Sequence, residues 1–328
     1  MDALTFNFNP RPLTVLDLCC GAGLASLALK ELGFDIYAGA DICEPALEVW
    51  SRWAGSLPAT YSVEELAGEY DACQVDVVVC GPPCQDDSRL GKMHADKGRG
   101  ALKSPTFQAA LNHNPTWIVM EMNSTEWLTW CKDHGARQTF KLVDQEQGGY
   151  TLRKRWFAVW GPSDLEIAKV PEADRKGWGD AFGFAADADV KLVSESIGLA
   201  DRERLARTPD MPGHSVIGHG TSHVLTRSDG YRERLSAQDE AALQGYPELD
   251  LNGLTREEAQ TAVGNGWAKS FGLTIGRAIQ RAMAGCNPDA QDSVGDTISG
   301  RAAHRKAVLK VLRQRRRDEE REATRRAA

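Results

Sequence analysis

The sequence predicts an α/β fold, a doubly wound sheet with a smaller loop-rich region, and three observations predict it. Short, nearly continuous apolar runs recur at 13–18, 35–40, 75–79 and 117–121. Stretches of helical character separate them. The runs end at the turn Cys20-Gly21-Ala22-Gly23, at Asp41, at Gly81-Pro82-Pro83 and at Glu121, which is where open sheets keep their ligand crevices. Strands buried on both faces read as unbroken apolar runs, and their alternation with helices calls for parallel crossovers.

Taken in order, Leu13–Leu18 is the first buried strand, and Leu24–Leu32 after the glycine turn is a helix closed by Gly33. A second strand over Asp35–Ala40 ends at Asp41 and leads to a helix near Pro45–Trp53. Val75–Val79 and Trp117–Glu121 are further strands, with helices around 104–112 and 125–133. From Gly161 to Tyr231 the alternation disappears into a stretch rich in Gly, Asp, Ala and Pro, which reads as a loop-rich insertion or small domain. Ser236-Ala237-Gln238-Asp239 has the form of a capping box, and a last core helix spans Trp267–Met283. Gly285 and Asn287-Pro288 punctuate the end of the globular part, and the tail from Arg301 is charged with helical propensity.

Composition narrows the function classes. Hydrophobic residues make up 42% of the 328, and no apolar run reaches bilayer-spanning length. Met1–Thr5 has neither the basic start nor the apolar stretch of a signal peptide, so a cytoplasmic protein without membrane contact is expected. The eight cysteines include the adjacent Cys19 and Cys20 and form no repeated C-x-x-C pair, which suits reduced thiols. His214, His219 and His223 share one glycine-rich stretch, but no nearby cysteine or carboxylate completes a set of four, so no metal is expected. The net charge of −7 hides an asymmetry: residues 301–328 carry 11 Arg or Lys against 4 Asp or Glu, leaving −14 on residues 1–300. Any contact of the body with nucleic acid must come from local basic patches.

Four segments carry chemistry. A strand, then Asp17-x-x-x-Gly21-x-Gly23, then a helix, with Asp41 ending the next strand, is a nucleoside-cofactor arrangement. Position 26 is Ser, so the pyrophosphate fingerprint is not met, and S-adenosylmethionine suits the turn better than NAD. A glycine turn used for packing alone is the competing reading. Val77–Gln85 places Cys84 just past a buried strand on a loop stiffened by Pro82 and Pro83, a poor setting for an inert core thiol. Trp117–Glu121 is again a strand ending in an acid, and Arg153-Lys154-Arg155 sets fixed cations at the start of the apolar run Trp156–Val159.

These segments, in this order, resemble the motifs of the DNA (cytosine-5) methyltransferase family. Leu16–Gly23 resembles the first motif, Gly81–Gln85 with Ser88 and Gly91 the Pro-Cys motif, Glu121 the acid of the Glu-Asn-Val motif, and Arg153-x-Arg155 the Gln-x-Arg-x-Arg motif. Arg234-Leu235-Ser236 with Glu240 and Leu243–Pro247 resembles the ninth motif, and Gly264-Asn265-Gly266 the tenth, so the likeness runs over about residues 13–285. It implies an S-adenosylmethionine-dependent, Rossmann-like fold. The expected parts are a catalytic and cofactor-binding region 1–161, a small target-recognition region 162–253, a return at 254–285 and a charged tail 286–328. It implies cofactor contacts from Asp17, Leu18, Cys19, Gly21, Gly23, Asp41, Ile42, Pro83 and Asn265. For the chemistry it implies Cys84 as nucleophile on carbon 6 of a cytosine flipped out of duplex DNA. Glu121, favoured in a proton-sharing state, would bond the ring nitrogen N3 and the amine. Arg155 would orient the base through O2 with Arg153 in support. The loop 85–100, with Lys92, Lys97 and Arg99, would close over the base. Double-stranded DNA is then the partner of a chain expected to be monomeric, in a bacterial or phage-infected cell, solitary or within a restriction or phage self-protection system.

Several positions depart from the family pattern. Cys19 stands in an aromatic place, Leu24 where a second glycine is common, and the third-motif Asp has no counterpart near Thr60-Tyr61-Ser62. Glu121 is followed by Met122-Asn123, and Thr151 replaces a Gln. Arg202, Arg204, Arg207 and Arg227 are candidate DNA contacts in an otherwise acidic stretch. Competing functions are RNA cytosine methylation, a noncatalytic DNA-binding relative, and a nicotinamide-dependent oxidoreductase, the last disfavoured by the missing third glycine.

Overall fold

The computed structural model describes residues 11–54, 59–68, 74–82, 102–123, 125–195, 205–217 and 223–284. Its main sheet joins β1 (Thr14–Leu18), β2 (Asp35–Asp41), β3 (Ala59–Thr60), β4 (Val77–Cys80), β5 (Trp117–Met122), β6 (Gln138–Val143) and β7 (Lys154–Trp160) in the order β3-β2-β1-β4-β5-β7-β6. The first five are parallel, while β7 runs antiparallel to both β5 and β6. Every residue of β4 and β5 is buried, which is why both read as unbroken apolar runs. From β1 the chain winds outward to β2 and β3, then returns to lay β4 on the other side of β1. That reversal makes the carboxyl ends of β1 and β4 the switch point of the sheet. The α/β class expected from the sequence is the one that forms.

Helices α1 (Leu24–Glu31), α2 (Glu44–Ala54), α3 (Val63–Gly68), α4 (Lys103–Asn112) and α5 (Glu126–Asp133) fall between the strands, followed later by α6 (Ala237–Leu243), α7 (Arg256–Asn265) and α8 (Lys269–Ala284). Gly33 takes φ 84° just beyond α1, so it closes that helix in the left-handed conformation glycine tolerates. The capping box at Ser236 forms with Asp239, and a second, at Thr255 with Glu258, starts α7. Each hydroxyl cap is worth about 1 kcal/mol. α8 approaches α1 closely, because a Cβ on Gly272 would come within 2.5 Å of the Ala28 Cβ.

The stretch from 161 to 231 is not structureless. β8 (Lys191–Ser194), β9 (His223–Thr226) and β10 (Arg232–Arg234) form a small antiparallel sheet in the order β10-β9-β8. Leu192, Leu225, Trp178 and Val216 from this region share a hydrophobic cluster with Leu24 and Ala28 of α1 and with Leu243, Tyr246 and Val263. By compactness the chain divides into Met1–Ile279 and Gln280–Ala328; of the second unit only 280–284 are described. No helix among the described residues is long and apolar enough to cross a membrane.

Candidate active site

Glycines and a buried acid shape the turn after β1. Gly21 and Gly23 have φ 52° and 73°, and Cys19 adopts φ 54° although it carries a side chain. Alanine could not replace Gly23, since a Cβ there would stand 2.1 Å from Trp50. Trp53 donates its indole N–H to the Ala22 carbonyl at 2.9 Å, so the two tryptophans of α2 hold the turn from behind. The Asp17 carboxyl is 2% exposed and accepts from Ser26 Oγ at 2.8 Å. Burial raises it to about 7, against the lowering effect of that hydroxyl and with a further raise from Asp41. Ser26, which breaks the dinucleotide fingerprint, thus ties helix α1 to the strand end.

Asp41 reaches the same turn from β2. Its two oxygens accept the Gly21 and Cys43 amides at 2.8 and 2.9 Å, and each keeps a lone pair for a further donor. Ile42 beside it is 69% exposed. Leu18 has a fully buried side chain, and its carbonyl accepts the Gly81 amide at 3.2 Å, so only its backbone lies near the turn. Cys19 Sγ sits 4.0 Å from Thr106 Oγ1, and burial pushes its thiol pKa up, which makes it a poor thiolate.

Across the switch point, Gly81 follows β4 and Glu121 lies on β5. A Cβ built on Gly81 would be 3.6 Å from Glu121 Oε2, 3.8 Å from Trp267 Nε1 and 3.9 Å from the Cys19 carbonyl oxygen. Four chain segments therefore converge there. Arg155 on the antiparallel β7 pairs with Glu121, Nε to Oε1, at 2.6 Å. The contact is an ion pair by distance rather than an aligned hydrogen bond, since that oxygen has no hydrogen-bond partner among the described residues. The pairing follows from register: Glu121 is opposite Phe157, two residues beyond Arg155 on the same strand.

Arg153 has a different task. Its guanidinium is 1% exposed and donates to the carbonyls of Val216 at 2.6 Å, Gly264 at 2.9 Å and Gly266 at 2.8 Å. It fixes the carboxyl end of α7, which presents the exposed Asn265, and so acts by position. Thr151, in the place of a Gln, is buried and bonded through its amide and hydroxyl to Asp144 at 2.9 and 2.7 Å. Asp144 also accepts from Ser270 at 2.5 Å, joining this turn to the start of α8.

The ninth-motif residues are structural. Tyr246 donates to the Leu24 carbonyl at 2.6 Å, and Gln244 bonds the Val263 carbonyl. Arg234 pairs with Glu195 at 2.7 Å, whereas Glu240 meets His223 Nδ1 at 3.2 Å. His214 stacks on His223 at 6.3 Å, and burial lowers its pKa to about 4. No group of three His, Cys, Asp or Glu among the described residues is arranged to hold a metal. Arg227 pairs with Asp229 at 3.2 Å and lies over Tyr231, while Arg207 joins the small sheet through a backbone bridge to Leu192. Cys84, Pro83, Lys92, Lys97, Arg99, Arg202, Arg204 and His219 lie outside the described residues.

The structure thus brings the Cys19 carbonyl, Gly81, Glu121 and Arg155 together at the carboxyl ends of β1, β4 and β5, with Asp17, Gly21, Gly23 and Asp41 shaping the adjoining turn and Arg153 bonded to the end of α7. Sequence reasoning missed the approach of Trp267 to Gly81: it read the residue as the first of the last core helix, whereas the structure places it between α7 and α8.

Comparison with known proteins gives the same direction. The family described as C-5 cytosine-specific DNA methylase matches residues 13–155. The Type II methyltransferase M.HgiDI of Herpetosiphon aurantiacus is 30% identical over 207 residues, 58% of this chain and 60% of that protein. M.HgiGI, from the same organism, is 31% identical over 124 residues, 33% of this chain and 89% of that protein. The chain therefore spans less than two thirds of the first relative and most of the second. Among solved structures, the S. pombe Dnmt2 methyltransferase superposes with a TM-score of 0.58 at 20% identity, covering 82% of this chain and 99% of that one, a likeness of fold. The motif order, the switch-point crevice and these matches make this chain a member of the C-5 cytosine-specific DNA methylase family.

Proposed function

We propose that this chain methylates carbon 5 of cytosine in double-stranded DNA, using S-adenosylmethionine and Cys84 as the attacking thiolate. The observation that carries the reading is the Glu121–Arg155 pair at 2.6 Å beside Gly81, three residues before Cys84, at the mouth of the glycine turn. A carboxyl and a guanidinium held together can face the N3, amine and O2 edge of a cytosine at once. Cys84 would add to carbon 6, placing electron density on carbon 5; after carbon 5 has gained the methyl group, loss of its proton to a base would re-form the ring double bond as the Cys84 thiolate leaves carbon 6. Glu121 would hold the N3 and amine edge while that density develops, Arg155 would hold O2, and Arg153 would keep the end of α7 at Asn265 in place. Duplex cytosine hides the face that the thiolate attacks, so the base must leave the stack.

The residues present suit the cofactor. Ile42 offers an apolar face for adenine, Asp41 beside it keeps lone pairs for ribose hydroxyls, and Gly21, whose Cβ position faces open space, lets the ligand approach the backbone, while Gly23 makes room for Trp50 and Trp53 instead. Pro83, Leu18 through its backbone, and Asn265 complete the set by resemblance. When bound, S-adenosylmethionine supplies an electrophilic methyl group. Residues 162–253, with the β8–β10 sheet, are read as the target-recognition region, and the chain as a monomer acting in the cytoplasm.

Incubation with tritiated S-adenosylmethionine tests the reading. Label is expected in duplex DNA of diverse sequence with the wild-type chain and not with Cys84→Ala. Label in RNA alone, or none with folded protein, would overturn it. DNA containing 5-fluorocytosine should trap a covalent adduct through Cys84 only when cofactor is present.

A further inference from the structure

The small sheet of β8, β9 and β10 borders a cavity of about 360 Å³ that the proposed chemistry does not use. Its floor is apolar, made by Ala188 with Val190 and Leu225, two buried members of the cluster shared with α1. Two aromatic side chains wall it, Phe184 at 37% exposed and Tyr231 at 46%. Both walls are held in place. The Phe184 ring centroid lies 5.7 Å from that of Trp178 and 6.2 Å from that of Phe182, and Tyr231 donates its hydroxyl to Glu233 at 2.5 Å. The rim carries charge. Asp189 accepts from Ser228 and Glu233 from Tyr231, each through one oxygen, and the other oxygen of each accepts nothing among the described residues. Arg227 also lines the cavity, but Asp229 offsets it at 3.2 Å and its guanidinium already rests over the Tyr231 ring at 5.7 Å. The rim therefore keeps the negative charge of Asp189 and Glu233 uncompensated.

Such a cavity repels phosphates and carboxylates alike. It suits a cation on a flat or apolar body: the ring faces attract positive charge, the floor covers carbon, and the carboxylates take N–H groups. Guanidinium fits better than ammonium, because it is planar, weakly hydrated and stacks on aromatic faces while its donors reach a carboxylate. Arg227 over Tyr231 is an instance of that contact within the same wall. The aromatic walls stand at the surface, as anchors of protein interfaces do, instead of closing over a small ligand. We propose that the cavity receives an arginine side chain presented by another protein, set against Tyr231 and Phe184 and paired with Asp189 and Glu233. The site goes beyond the methyl-transfer reading and does not depend on it.

Nuclear magnetic resonance on the methyl-labelled full chain tests it through the signals of Ala188, Val190 and Leu225. The probe is a short capped peptide with one arginine and no other charge. Its control carries citrulline, which keeps the shape and lacks the charge. The arginine peptide should shift those signals saturably, with an affinity in the millimolar range expected of one exposed anchor. The citrulline peptide should bind about fivefold more weakly or worse. Asp189→Asn combined with Glu233→Gln should weaken the arginine peptide by a similar factor and leave the citrulline peptide as it was, with methyl signals elsewhere unchanged to show folding. If that double variant does not fold, the comparison of the two peptides on the wild-type chain still decides. Equal binding of both peptides would reduce the cavity to apolar contact and overturn the proposal, as would no shift at Val190 and Leu225. Spermidine acting at lower concentration than the peptide would make this a site for free amines, and short duplex DNA shifting the same signals would make it part of the DNA surface. Either result overturns the proposal.

Discussion

Glu121 and Asp17 are both buried acids at strand ends, and their surroundings separate them. Glu121 lies against a guanidinium at 2.6 Å, while Asp17 has one hydroxyl donor and the like charge of Asp41. Glu121→Gln should keep the shape of the site and lower single-turnover methyl transfer about 10²–10⁴-fold, the span typical of a positioned acid or base. Asp17 makes a pH prediction. Its folded pKa of about 7 lies above the ordinary 3.8, so the folded state holds a proton that the unfolded state releases. The stabilisation is complete below about 4 and is lost as pH rises to about 7. Half-buried His214, lowered to about 4, contributes a slope of opposite sign over an overlapping range, so the readout is a difference. The gap in denaturant midpoint between the ligand-free wild type and Asp17→Asn should shift steadily in favour of the variant as pH rises from about 4 to about 7, and a gap independent of pH would contradict the assignment. At this scale the acids and cations were legible because strand ends announce them. Ser26 was legible only as a missing glycine, and the approach of Trp267 to Gly81 not at all, since it depends on how the segment before α8 folds back onto the end of β4.

Among the elements, the antiparallel β7 determines what Arg153 and Arg155 do. Facing β5, it delivers Arg155 to Glu121, while Arg153 turns back to three carbonyls 63 to 113 residues away. Arg153→Ala would leave those carbonyls unsatisfied in the interior, at a cost of at least about 3 kcal/mol. A urea titration should record that loss, and binding of S-adenosylhomocysteine should weaken with it; a midpoint unchanged from wild type would deny the strut. The buried strands β1, β4 and β5 were readable from their apolar runs, and the half-exposed β2 from the run that ends at Asp41. Helix α7 was not, because its buried residues are Ala259, Gln260, Ala262, Val263 and Gly264, too small and mixed to mark a face. Strands β8 to β10 have three or four residues each, too short for alternation to show.

Charge belongs to the whole molecule. A body of −14 joined to a terminal segment of +7 repels a polyanion in general and attracts it at one end. Deleting 301–328 is expected to weaken binding to duplex DNA and to flatten the dependence of log K on log salt. An unchanged slope in fluorescence anisotropy titrations would show that the segment stays off the phosphates. The overall α/β class followed from runs and turns that any one region displays. The small sheet's share in the α1 core did not, because it depends on side chains from Trp178 to Val263 meeting residues near position 24.

The reach of Arg153 also bears on how the chain is made. A ribosome delivers β1, β4, β5 and Arg153 well before it delivers Gly264 and Gly266. During that interval the guanidinium lacks two of its three acceptors, and Leu24 lacks the hydroxyl of Tyr246. A buried cation without partners is strongly destabilising. A message truncated ahead of codon 264, or a nascent chain released there, should therefore yield an unfolded polypeptide for the cell's proteases rather than a half-working protein.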